Sequence, residues 1–109
     1  MRFFGLKNCD TCKKALRELS EAGLSPIVVD VRQDGVSRDD LETFQDEFGE
    51  ALVNKRSTTW RNFTDDQKGR DPLELLTDYP TLMKRPVIEM DDGKRFLGWS
   101  KPVQEAVFP

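Results

Sequence analysis

Residues 2–31 read as strand, helix and strand, and that order narrows the folds open to this chain more than any other feature. Residues 2–5 (Arg-Phe-Phe-Gly) have the composition of a short strand closing on a glycine. Residues 10–22 then carry apolar side chains at Cys12, Ala15, Leu16, Leu19 and Ala22. That three- and four-residue spacing is the mark of an amphipathic helix, and Gly23 supplies its stop. Residues 26–31 (Pro-Ile-Val-Val-Asp-Val) give a second, largely apolar strand. Parallel strands cannot be joined by a tight hairpin and need a long crossover, which the helix provides. A β-α-β unit with parallel strands is therefore expected.

The middle of the chain is helical in pattern. Ser37 and Asp40 resemble a capping box ahead of Leu41, Phe44 and Phe48, with Gly49 as the stop. Thr64 and Gln67 offer a second cap, and Asp71-Pro72 sets an N-cap before a helix-starting proline. Residues 51–63 are expected to form short helical pieces. After Pro80, residues 87–90, the turn Asp91-Asp92-Gly93 and residues 95–99 read as a hairpin, and 102–107 as a closing helix. The sum is β-α-β, helices, then β-β-α. It predicts a single α/β domain over 1–109, with a four-stranded mixed sheet and a helical insertion at about 37–80. That order fits a thioredoxin-like fold.

Composition removes many functions. The 109 residues contain no histidine, so no Cys–His pair, Ser–His–Asp triad or imidazole metal ligand exists within the chain. Two cysteines alone do not complete a four-ligand zinc site. No bound metal or cofactor is expected, and thiolate chemistry survives the elimination. Leu, Ile, Val and Phe make up about a quarter of the chain, enough for one modest core. The net charge of −3 lacks the basic footprint of a nucleic-acid binder. No apolar run approaches a membrane span of about 20 residues, and residues 1–10 do not resemble a signal peptide. A soluble, cytoplasmic protein without membrane or direct nucleic-acid partners is the expectation.

Charge is unevenly spread. Residues 30–50 are strongly acidic, whereas Lys7, Lys13, Lys14 and Arg17 surround both cysteines. Cys9-Asp10-Thr11-Cys12 lies between the first strand and its helix, the setting of a thioredoxin-type redox pair. A sulfur at a helix N-terminus meets unpaired backbone N–H groups, and nearby cations add to the potential. Such settings lower a thiol pKa from about 8.5 to about 3.5–7.5, producing the thiolate nucleophile. Cys9 is the expected nucleophile. Cys12 tops the apolar stripe and has two readings: a buried thiol packed as a small apolar residue, or the group that resolves a mixed disulfide on Cys9. A structural disulfide is not expected in a reducing compartment. Lys84-Arg85-Pro86 stands before the third strand. In a thioredoxin-like fold the proline at this junction is cis and faces the reactive cysteine, so Arg85 is expected to aim its planar fork at an anion there.

Three stretches carry a resemblance to a known family: 5–15 (GLKNCDTCKKA), 51–61 (ALVNKRSTTWR) and Lys84-Arg85-Pro86. In that order and at those separations they resemble the arsenate reductase-like (ArsC/Spx/YffB) branch of the thioredoxin superfamily, the YffB type most. The resemblance covers nearly the whole chain. It implies a catalytic Cys9, glutathione or glutaredoxin as reductant, and Arg85 in the active site. It also implies substrate contacts from Arg56, Arg85, Pro86 and Lys7. One departure matters. Arsenate reductases of the family use three arginines, and here the third aligns with Gly98 and the first with Asn54, two residues from Arg56.

Two classes of function follow from the resemblance. The first is a thiol-dependent reductase acting on a disulfide or a small oxyanion, with glutathione as co-substrate. The second is a regulator of the Spx type, with Cys9 and Cys12 as a redox switch and RNA polymerase as partner. A true arsenate reductase is a further reading, weakened by the incomplete arginine set.

Overall fold

In the computed structural model, which describes residues 1–108, four short strands form one sheet in the order β2-β1-β3-β4. In chain order the elements begin with β1 (Arg2–Gly5), α1 (Asp10–Glu21), β2 (Ile27–Asp30), α2 (Arg38–Phe48) and α3 (Thr58–Arg61). They continue with α4 (Asp65–Lys68), α5 (Pro72–Asp78), β3 (Val87–Glu89), β4 (Arg95–Leu97) and α6 (Lys101–Val107). Residues 1–34 with 85–108 make one compact unit, and Gly35–Lys84 makes a second.

The first unit holds the sheet. β1 pairs with β2 in parallel, and β1–β3 and β3–β4 are antiparallel. Their registers align Val28, Phe3, Ile88 and Phe96 across all four strands. Paired residues share a face, so this row points to one side of the sheet. Phe3 and Ile88 are fully buried on that side among Cys12, Ala15 and Leu19 of α1 and Val103 and Val107 of α6. Each such large side chain contributes about 1.5–3 kcal/mol on burial. Val28, at the edge end of the row, stays 49% exposed.

The strands are shorter than their apolar patterns. β2 stops at Asp30, because Val31 N–H still bonds Gly5 but the chain then turns, with Asp34 N–H on the Asp30 carbonyl at 2.8 Å. The hairpin turns between Met90 and Lys94, whose backbones bond at 2.8 Å, so Met90 lies outside β3. β4 ends at Leu97, and Gly98 follows at φ +83°, in the left-handed region. Trp99 thus leaves the sheet, and its indole N–H donates to Glu18 of α1 at 2.7 Å.

The second unit is helical, and its local signals work as the sequence suggests. Ser37 Oγ accepts the Asp40 N–H at the start of α2, which buries Leu41 and Phe44 and stops at Gly49, φ +58°. Thr64 and Gln67 complete a reciprocal capping box on α4. Asp71 caps α5 through the Leu73 N–H. The segment 51–63 resolves into a 3-10 turn, Gly49–Leu52, running into it and the single turn α3, capped by Ser57. A second 3-10 turn, Pro80–Leu82, has no counterpart in the sequence reading. An isolated antiparallel bridge pairs Val53 with Met83 near the end of this unit.

Candidate active site

Gly5 ends β1 directly beneath the first turn of α1. A Cβ there would stand 2.8 Å from Cys12 Sγ and 2.8 Å from a Phe3 ring carbon, so only glycine lets the helix start this close. The next residues, Leu6 to Asn8, climb to Cys9, which occupies the N-cap position of α1. Cys12 is one turn further along and fully buried.

Both cysteines are free. The Cys9 side chain makes no capping hydrogen bond. As a thiolate it is better served. Partial burial works against its charge, but the Cys12 N–H, the Cys12 S–H and the Arg85 guanidinium outweigh that cost. The Cys9 pKa is accordingly held below the ordinary thiol value. Cys12 behaves oppositely. Burial first, and then the neighbouring Cys9 charge, push its thiol up to about 11, against a smaller opposing effect of the Leu6 N–H and Arg85.

An open cavity of about 360 Å³ surrounds Cys9, lined by Leu6, Lys7, Asn8, Cys9, Asp30, Arg32, Gln33 and Arg85. Three cationic side chains and one carboxylate therefore share it. Asp30, one of the lining residues, is 92% buried, and its Oδ1 accepts the N–H groups of Arg32 at 2.9 Å and Gln33 at 2.8 Å. Its own N–H donates to Asp34 Oδ2 at 2.9 Å. The bonds from Gln33 and Arg32, with help from Lys7 and against a burial cost, hold the Asp30 carboxyl below its ordinary pKa. Asp30 thus stays ionised and fixes the turn that carries Arg32 and Gln33.

The structure brings together Lys7, Cys9 and Arg85 of the expected site residues. The Arg85-Pro86 bond is cis, as expected, and Pro86 itself is buried and not among the cavity's lining residues. Arg56 belongs to the second unit, exposed in a turn where its N–H donates to Asn54 Oδ1 at 3.1 Å. The lysine explanation of thiolate stabilisation needs correction. Lys7, Lys13 and Lys14 are exposed, and the groups that lower the Cys9 pKa are Cys12 and Arg85. Solvent screens exposed charges, whereas Arg85 and Cys12 act at hydrogen-bonding range. Asn8, Asp30, Arg32 and Gln33 were not foreseen as site residues. Gly98, where the family's third arginine aligns, has φ +83°, a backbone conformation that side chains rarely adopt. Among the described residues no cluster of three or more His, Cys, Asp and Glu side chains could hold a metal. Among the described residues no helix is long and apolar enough to cross a membrane.

Comparison with known proteins now defines the class. The sheet and its helices are those of an arsenate reductase-like protein with a thioredoxin-like fold. Residues 4–105 match the ArsC family, and the chain belongs to it. An uncharacterised protein of Haemophilus influenzae is 41% identical over 110 residues, covering 96% of either chain. The solved structure of a protein called YffB superposes with a TM-score of 0.90 at 29% identity, over 99% of this chain and 98% of that one. An arsenate reductase (ArsC) related protein from Brucella melitensis gives 0.75 at 33% identity, over 97% and 92%. An arsenate reductase from Vibrio cholerae, at 16% identity and a TM-score of 0.69, shares the fold.

Proposed function

We propose that this chain is a thiol-dependent reductase that cleaves glutathione mixed disulfides at Cys9, with a second glutathione or glutaredoxin as the final reductant. The observation that carries the reading is the cavity that joins Cys9 to Lys7, Arg32, Arg85 and Asp30. A glutathionyl group bears two carboxylates and one ammonium, and the cavity offers cations and one carboxylate to match. Each hydrogen bond to such a charged group contributes about 1.5–3 kcal/mol. The Cys9 thiolate attacks the glutathionyl sulfur and expels the other thiol as a thiolate, which takes a proton from solvent. A second glutathione thiolate then attacks the Cys9 mixed disulfide, releasing glutathione disulfide and restoring the Cys9 thiolate. Cys12 acts in this scheme as an S–H donor to the Cys9 thiolate. Its pKa of about 11 leaves it a poor nucleophile near neutral pH.

Arsenate itself is a weaker substrate on this reading. A compact dianion leaving water needs several charge-assisted donors, and a glycine at φ +83° stands where the family's third arginine aligns. The regulator reading draws on one observation, the Cys12 S–H within hydrogen-bonding reach of Cys9, which suits a reversible disulfide. RNA polymerase would be the partner in that case, and turnover separates the two. Steady-state assays with glutathione should show reduction of the glutathione–mercaptoethanol mixed disulfide, with kcat/KM above that for arsenate by about tenfold or more, the loss of one such hydrogen bond. Cys9→Ser should lower turnover on the order of a thousandfold. Efficient arsenate reduction with none of the mixed disulfide would overturn the proposal.

A further inference from the structure

A second cavity of about 250 Å³ lies between α1 and β2, and it adjoins the thiol cavity, with which it shares Leu6, Lys7, Asp30 and Gln33 as lining. Its own floor is apolar, formed by Phe3, Leu16 and Val28. The register explains why it is open. Val28 belongs to the row whose inner members Phe3 and Ile88 are fully buried, yet on the edge strand it is covered too little and stays 49% exposed. Leu16 on α1 is likewise only half-buried. An apolar recess beside a charged cavity holding a nucleophile is a built division of labour, since charged groups alone would need no such wall.

We propose that this groove is a second subsite that takes the S-linked apolar group of a glutathione mixed disulfide, a small aliphatic or aryl thiol. The inference rests on the reductase reading and names its substrate class. The glutathionyl half occupies the charged cavity, with its sulfur at Cys9. The other sulfur, which leaves as a thiolate, carries its alkyl or aryl group past Leu6 and Lys7 into the groove. Cys9 S⁻ and GS–SR become Cys9–S–SG and RS⁻, and a second glutathione returns Cys9 S⁻ with glutathione disulfide. The net change is GS–SR and GSH to GSSG and RSH, with electrons and protons balanced. The occupant is a small molecule because the groove is a concave recess adjoining the nucleophile's cavity.

The test is a series of glutathione mixed disulfides made with mercaptoethanol, ethanethiol, butanethiol and phenylethanethiol. For the wild-type protein kcat/KM should rise about fourfold per methylene placed in the groove, so the butyl substrate should exceed the ethyl by about tenfold or more. Val28→Thr and Leu16→Ser should flatten that rise, with thermal melts run alongside to verify folding. Ile27→Thr is the control: its side chain points to the opposite face of β2, is 68% exposed, and should leave the rise intact. A flat wild-type series with the mercaptoethanol substrate still turned over would overturn the subsite and leave the reductase reading standing. A rise that persists in both groove variants would also overturn it. No turnover of any member would overturn the reductase reading and the subsite with it.

Discussion

Cys9 and Cys12 are one helical turn apart, yet their thiols are driven in opposite directions. Cys9 sits at the mouth of the cavity as the N-cap of α1, where donors converge on its sulfur and lower its pKa. Cys12 is fully buried against Gly5, and loss of water together with the Cys9 charge raises its pKa to about 11. What separates them is which side of the helix start each occupies. The side facing the cavity meets the Cys12 N–H, the Cys12 S–H and Arg85, while the side facing the core meets apolar groups and a glycine. Two identical residues in one motif thus have their thiols shifted in opposite directions because position, not chemistry, differs.

Alkylation gives the largest separation. At pH 7 a thiol of pKa about 11 is thiolate in roughly one part in ten thousand. An unperturbed thiol with pKa near 9 is thiolate at about one per cent, and Cys9 is held below that. Iodoacetamide should therefore label Cys9 more than about a hundredfold faster, as read by peptide mass spectrometry over a time course. Equal rates would mean that the two sites do not differ as described.

Much of this contrast was legible in the sequence, and the part that was not has a physical cause. The Cys9-x-x-Cys12 spacing after a strand and before a helix placed one sulfur at a helix start and the other on the apolar stripe. Ser37, Thr64 and Asp71 announced their helices because a capping side chain bonds an N–H two or three residues away. Asp30 gave no such signal as a site residue. Its role depends on β2 pairing with β1, which carries the Asp30 turn to the end of β1 where Cys9 begins. Arg32 and Gln33 enter the cavity only through that turn. The lysines misled for the converse reason: they are close in sequence to Cys9, whereas the effective cation, Arg85, is close in space.

Stability at high pH sharpens the comparison next. The unfolded chain loses the Cys12 proton above the ordinary value of 9, and the native protein keeps it until about 11. Between those values the unfolded state binds fewer protons, so stability falls as pH rises. The loss amounts to about 3 kcal/mol, or roughly a hundredfold in the folding equilibrium. Urea melts of wild type and Cys12→Ala from pH 8 to about 11 should converge as the wild type loses this contribution, which the variant lacks at every pH. Cys9 works in the other direction. Its lowered pKa contributes stability above the ordinary thiol value that is lost as pH falls through the native one, so Cys9→Ala should remove a gain rather than a loss. Parallel curves for wild type and Cys12→Ala would show that the buried thiol is not held protonated.

The smallest effect belongs to Arg85, and it tests what makes Cys9 the reactive partner. The guanidinium both hydrogen-bonds the Cys9 thiolate and lines the cavity beside Lys7 and Arg32. Arg85→Gln keeps a planar donor of similar reach and removes the charge. Without the charge, burial regains ground against the remaining Cys12 donors, so the Cys9 pKa must rise toward the ordinary thiol value. The inflection in the pH profile of alkylation should move up accordingly, while Cys12, whose elevation comes from burial and from Cys9, should stay slow. On the proposed substrate the variant also loses one charge-assisted contact to a carboxylate. That contact is worth about tenfold in kcat/KM at the lower end of its range. The two readouts separate the roles of the side chain. A raised inflection with unchanged kcat/KM at high pH assigns Arg85 to the thiolate alone, and a lowered kcat/KM at every pH assigns it to the substrate as well. If neither moved, the donors on Cys12 alone would account for the low Cys9 pKa, and the difference between the two cysteines would arise entirely within the first turn of α1.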